Sequence, residues 1–209
     1  MITWPLPQNL PLTSGEPFCL RFSYLTHQKG TVMPRYILTG APGSGKTAVL
    51  RQLEINGHTV VEEAATDVIA LDQARGCEEP WREHAFIDRI VILQQRRQLS
   101  VREDSAASVF FDRSPVCTLA LSRHLGFPMT DLLAREVDRV ARDRAEITVF
   151  FIRNLGFVHP TSARRITFED SLVFERRHEE SYRELGFQLV EVPAGPLADR
   201  VALIEQTAD

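Results

Sequence analysis

Lysine is nearly missing from this chain of 209 residues: it occurs only at Lys29 and Lys46, and arginine supplies the other 22 of 24 cationic side chains. Coding bias in a GC-rich genome accounts for the general scarcity. It leaves one point open, because Lys46 stands inside a glycine-rich run where a compact ammonium and a planar guanidinium are not interchangeable. Cysteine is also sparse. Cys19, Cys77 and Cys117 are odd in number and scattered, which excludes a disulfide framework and reads as reduced thiols in a cytoplasmic protein. His84, His124, His159 and His178 lack ligand spacing, so no zinc site is expected. No apolar run approaches the ~18 residues that span a bilayer, and no basic stretch followed by an apolar one marks a secretory signal. A basic excess is absent too: the net charge is −4, which gives no electrostatic reason for a nucleic-acid partner. What remains is ordinary for one globular domain with a substantial core, at 44% hydrophobic and 25% charged residues.

Residues 1–32 carry Pro5, Pro7, Pro11 and Pro17 and show neither helical nor strand periodicity, so they are expected to form an irregular extension. Lys29-Gly30 requires purine-rich codons shortly before Met33, as in a ribosome-binding sequence. Met33 is therefore expected to be a real or alternative start, with the domain over 33–209. From there the pattern alternates. Apolar strands are predicted at Arg35–Thr39, His58–Glu63, Ser108–Asp112, Ile147–Ile152 and Phe187–Pro193. Helices are predicted from about Gly45 to Asn56, over 64–75, along the face Phe86, Ile87, Ile90, Val91 and Leu93, and over 115–125. Further helices follow around Leu133–Ala141, over 168–185, and from Pro196 to Ile204. The unbroken hydrophobicity of "ITVFFI" suits a strand covered on both faces. Strands separated by helices imply right-handed crossovers and an α/β doubly wound parallel sheet.

Gly40-Ala41-Pro42-Gly43-Ser44-Gly45-Lys46-Thr47 fits G-x-x-x-x-G-K-[ST] in full, after an apolar strand and before a helix. Glycines let consecutive N–H groups turn inward around an anion, and the helix adds its positive end. Lys46 is expected to reach the β- and γ-phosphates of a nucleoside triphosphate, and the Thr47 hydroxyl to hold Mg²⁺. Asp112, closing "SVFFD", is a candidate to orient Mg²⁺ or to receive the acceptor's proton or, alternatively, a cap for the helix at Pro115. Arg113 is a candidate clamp on a transferred phosphate. Glu62 and Glu63 end the second strand at the mouth of the ligand crevice; alternation lets one act, and Glu63 is the candidate to accept an acceptor's proton. The segment from Arg153 to Thr167 carries Arg153, Arg164 and Arg165 and is a candidate lid that neutralises charge and excludes water. Gln94 and Gln95 on the long helix are candidates to read a base or sugar, with plain helix surface the favoured reading.

The stretches "RYILTGAPGSGKTAVLRQLEINGHTVVEEAATDVI", "FFDRSPVCTLALSRHLG" and "SYRELGFQLVEVPAGPLADRVALI" resemble the P-loop domain of the NadR-type AAA proteins, whose relatives include nicotinamide riboside kinase and a set of predicted ATPases. The Asp112-Arg113-Ser114 run is similar to the Asp-Arg-Ser or Glu-Arg-Ser motif of thymidylate and deoxynucleoside kinases. The resemblance implies a P-loop kinase-like, five-stranded sheet in the order 2-3-1-4-5 with helical and lid insertions, and ATP with Mg²⁺ as cofactors. It carries over Gly40 to Thr47, Glu63, Asp112 and Arg113 by motif, and Arg164 or Arg165 loosely. The chain departs from it at Thr66, where many relatives have arginine, and at Cys117, where some have aspartate.

The reading is a kinase that moves the γ-phosphoryl of ATP to a small hydroxylated acceptor, nucleoside or nucleotide-like. Its rival is an NTP-binding regulatory protein with slow hydrolysis, whose nucleotide state is read by a protein partner; a homodimer is the other partner considered. A Ras-type GTPase is disfavoured, since its guanine reader needs Asn-Lys-x-Asp and no lysine follows Lys46.

Overall fold

The computed structural model describes residues 34–101, 108–158 and 166–208. The extension 1–32, the Met33 start, Arg164 and Arg165 lie outside the described residues. In chain order the elements are β1 (Arg35–Thr39), α1 (Lys46–Ile55), β2 (Thr59–Val61), α2 (Ala65–Ala74), α3 (Ala85–Leu99), β3 (Val109–Asp112) and α4 (Pro115–His124). They continue with α5 (Asp131–Arg142), β4 (Ile147–Ile152), α6 (Phe168–Glu184), β5 (Leu189–Val192) and α7 (Leu197–Ala208). The strands form one parallel sheet in the order β2-β3-β1-β4-β5, as expected. β2 is shorter than the predicted His58–Glu63. It pairs only on β3, through Thr59–Val61, and releases Glu62 and Glu63 from the ladder.

Alternation along β1 builds both layers of the core. Tyr36 and Leu38 face α1 and α7, where they pack with Leu50, Leu53, Val201 and Ile204. Ile37 faces the other way, toward Val116 of α4, Val140 of α5 and Tyr182 of α6. A third cluster joins Val68 of α2 to Phe86 and Ile90 of α3 beyond the β2 edge. Among the described residues no helix is long and apolar enough to cross a membrane.

Every strand delivers its C-terminal end to the same rim. The register sets Leu38 beside Asp112, so β1 runs into the glycine loop next to a carboxylate. At Gly40 the backbone has φ +133°, and a Cβ there would stand 2.3 Å from the Ile152 carbonyl oxygen. The loop can leave β1 this close to β4 only without a side chain. Gly40→Ala is expected to lose about 2 kcal/mol or more of unfolding free energy, measured by urea denaturation; an unchanged midpoint would contradict the close approach.

Candidate active site

The loop from Gly40 to Gly45 closes on itself through Ser44 N donating to the Ala41 carbonyl at 3.3 Å, and Gly45 enters α1 at φ +81°. Lys46 opens that helix yet is only 6% exposed. Its Nζ donates to the carbonyls of Gly40 at 3.0 Å and Ala41 at 2.9 Å, and to Ser44 Oγ at 3.3 Å. The ammonium thus spans the loop where an anion would sit. Burial and then the neighbouring Arg113 lower its pKa from 10.5 to about 7, against the pull of Asp112 and Glu63. Thr47, one residue on, is exposed at the same rim.

The sign of the resulting pH dependence follows directly. Between pH 7 and 10.5 the unfolded chain holds a proton on Lys46 that the folded one has released, so folding stability from this group rises with pH across that window. A bound polyphosphate reverses the balance by favouring the charged ammonium. Nucleotide binding is therefore expected to take up close to one proton at pH 8–9, and affinity to fall up to about tenfold per pH unit above 7. Calorimetry in buffers of different ionisation enthalpy measures this; heats independent of buffer at pH 8.5 would contradict it.

Asp112 ends β3 with 4% of its surface exposed. Ser114, not Asp112, caps α4, accepting from Val116 N at 3.2 Å. Asp112 Oδ1 is buried with no hydrogen-bond partner, and burial raises the carboxyl's pKa despite the pull of Lys46. A carboxylate in that position is short of a cation.

Arg113 holds the left-handed conformation at φ +73°, unlike any other described non-glycine residue, an arrangement that a side chain adopts only where its surroundings enforce it. The enforcing contacts are visible. Its backbone N–H donates to the Leu38 carbonyl at 3.0 Å, its Nε donates to Glu63 Oε2 at 2.7 Å, and its Nη1 donates to His178 Nε2 at 3.0 Å. His178 is wholly buried and gives its Nδ1 proton to the Phe174 carbonyl at 2.8 Å, which leaves Nε2 free to accept. Burial, then Arg113, holds this imidazole neutral well below its usual range. Glu63 also accepts from the Thr66 hydroxyl. Burial pushes its carboxyl up, but Arg113, Thr66 and Lys46 outweigh burial and hold it at about 2. Thr66 thus fixes the second oxygen of Glu63. Beneath the loop, Thr39 Oγ1 meets Cys117 Sγ at 3.2 Å, and Tyr182 Oη joins Cys117 Sγ at 3.3 Å and Ser114 Oγ at 2.6 Å. The Cys117 thiol thus completes a buried polar chain.

A cavity of about 410 Å³ opens beside this cluster. Pro42 of the glycine loop, Glu63 and Arg113 form one end, while Trp81, Phe86 and Phe174 supply apolar wall. Gln94 also lines it and is 4% exposed, which corrects the surface reading of that residue. Thr118 Oγ1 donates to Gln94 Oε1 at 3.5 Å. Gln95 is half-buried and donates to the buried Glu136 of α5 at 2.8 Å. Glu62 turns away and pairs with Arg51. Arg153 is not a free lid cation: it is bound by Glu175 at 3.2 Å, Glu179 at 2.9 Å and Glu191 at 2.6 Å, and lies over the Phe151 ring at 4.4 Å.

Sequence reasoning missed His178 and Arg200, whose Nη2 donates to the Ser44 carbonyl at 2.7 Å, and set Gln94 down as helix surface ahead of its reading as a base or sugar contact. One signal was readable. Each is a polar residue at helical spacing among core positions: His178 with Phe174 and Tyr182, Gln94 with Ile90, Arg200 with Ile204.

Solved structures share this architecture. NadR in complex with NAD and AMP-PNP aligns with a TM-score of 0.59 at 16% identity, over 84% of this chain and 49% of that one. NadR in complex with NR gives 0.60 at 13%, over 85% and 51%. Deoxyadenosine kinase from M. mycoides, with products dCMP and a flexible dCDP bound, gives 0.54 at 12%, over 83% and 97%. The chain thus spans about half the length of the NadR chains it matches, and at these identities the likeness is one of fold. No curated protein matches by sequence at a significant level. The sequence profile of the family described as AAA domain matches residues 35–200. Loop, strand order and profile converge on one assignment: the chain belongs to the AAA domain family and is a P-loop NTPase of NadR-like, kinase-type architecture.

Proposed function

We propose that this protein is a kinase that transfers the γ-phosphoryl group of ATP, with Mg²⁺, to a hydroxyl of a small acceptor held in the cavity. The observation that carries this reading over a regulatory switch is the shared wall: Pro42, Glu63 and Arg113 border both the phosphate loop and a cavity of about 410 Å³, a size that suits a nucleoside-like molecule. Trp81, Phe86 and Phe174 offer surface for a flat ring, and Gln94 a polar group to read its edge. NadR and deoxyadenosine kinase, which share the fold, support the class of chemistry by analogy.

The residues present fit Mg²⁺. Asp112 Oδ1 is a buried oxygen lacking a partner, the Thr47 hydroxyl lies at the same rim, and the described residues contain no group of three or more metal-type side chains. That is the donor set of an ion held largely by phosphates and water. When bound, Mg²⁺ neutralises charge on the β- and γ-phosphates. The chain's own part is mostly positioning. The loop amides and Lys46 grip the phosphate tail. Arg113, fixed by Glu63 and His178, adds positive charge between tail and cavity. Glu63, ionised at neutral pH, accepts the acceptor's hydroxyl hydrogen bond and takes its proton late in a loose transition state. Arg164 and Arg165 belong to this proposal as lid cations.

Incubation with [γ-³²P]ATP and a panel of nucleosides and vitamins is expected to move label into a small organic product. Nucleotide-dependent capture of a protein with no labelled product would overturn the kinase in favour of the switch.

A further inference from the structure

Arg200 presents an unusual combination. It is 4% exposed, its Nε has no hydrogen-bond partner, and no carboxylate pairs with it among the described residues. Burial alone accounts for its lowered pKa. A guanidinium taken out of water without a counterion is costly, and fold stability gives no reason to keep one on the core side of α7, between Leu197 and Ile204.

Its contacts say where the charge is directed. Nη2 donates to the Ser44 carbonyl at 2.7 Å and to the Arg153 carbonyl at 3.3 Å. Nη1 would stand 2.9 Å from a Cβ placed on Gly45. Ser44 and Gly45 share one peptide group. In a trans peptide the carbonyl and the following N–H point in opposite directions. A cation that draws the Ser44 carbonyl outward therefore turns the Gly45 N–H inward, to the side where an anion would sit, and polarises it as a donor. The same guanidinium explains why position 45 has no side chain, beyond its φ of +81°.

Building on the nucleotide-binding reading above, we propose that Arg200 is a positioning residue for the phosphate loop: it holds the Ser44–Gly45 peptide in the anion-binding orientation and leaves its own charge to be neutralised by the bound polyphosphate. Nucleotide supplies the counterion that the fold withholds. The cost in the free protein and the gain in the complex come from one side chain.

Two variants test this, each followed by thermal melting of the free protein and by calorimetry with ATP and MgCl₂. Arg200→Gln keeps a donor and removes the charge. It is expected to melt at or above the wild-type temperature while its ATP dissociation constant rises on the order of tenfold or more, the scale of one hydrogen bond to a charged group. Arg200→Lys keeps the charge without the fork and is expected to fall between Gln and wild type in affinity. Unchanged ATP affinity in Arg200→Gln overturns the proposal. So does an equal loss of melting temperature and affinity in both variants, which would make Arg200 a structural strut. Failure of the wild-type protein to bind ATP overturns the nucleotide reading itself, and this inference with it.

Discussion

Lys46→Ala is expected to lower ATP turnover by roughly 100- to 1000-fold, the range for deleting one preorganised charge-stabilising donor. The wild-type ammonium reaches three oxygen atoms of its own loop within 3.3 Å, so it ties the two ends of the loop together. The two carbonyls and the Ser44 hydroxyl give it up when phosphate oxygens, stronger acceptors, arrive. Alanine removes both functions, and no second lysine lies anywhere after position 46 to substitute. Lys46→Arg is expected to rescue poorly, because a planar fork does not fit a site built for a point charge. Steady-state turnover with saturating ATP measures the effect. Full activity in Lys46→Ala would remove the loop from the mechanism.

Asp112→Asn tests the opposite charge and has an effect of similar size. Burial raises the Asp112 carboxyl above its usual range, so the folded protein holds that proton more tightly than the unfolded chain. Stability from this group is therefore present at low pH and is lost as pH rises through the folded value. At pH 7 the asparagine variant is expected to melt at or above wild type, while Mg²⁺-dependent turnover falls roughly 100-fold or more. ATP binding without metal is expected to persist, since one repelling charge is gone. Calorimetry with and without MgCl₂ separates the two effects. Equal metal dependence in variant and wild type would show that Asp112 Oδ1 does not serve the ion.

Parts of this site were legible before any coordinates because they depend on local rules. The glycine loop needs only backbone freedom, an ammonium and a hydroxyl at fixed offsets, and β1 and β4 are apolar runs that only a covered parallel sheet accommodates. Asp112 follows from strand length: a residue closing β3 must reach the rim that β1 also reaches. The strand order came from resemblance, not from periodicity, since crossovers leave no mark in hydropathy. The surface reading of Gln94 failed for a physical reason. Helical periodicity reports which face is apolar, and a pocket wall is apolar with one polar exception, so Gln94 beside Ile90 reads as the edge of a stripe. The short β2 has a similar cause: Glu62 and Glu63 continue the strand in sequence, but the edge strand has β3 alone for pairing, and their charges find partners in Arg51 and Arg113 instead.

The common wall at Pro42 bears on inhibitor chemistry. In the proposed kinase Pro42 belongs to the phosphate loop and also lines the cavity, so one molecule in which an acceptor mimic is tethered to an oligophosphate tail can reach both. The tether need only be short, so the second contact forms at high effective concentration, and such a bisubstrate compound would outcompete either half used alone.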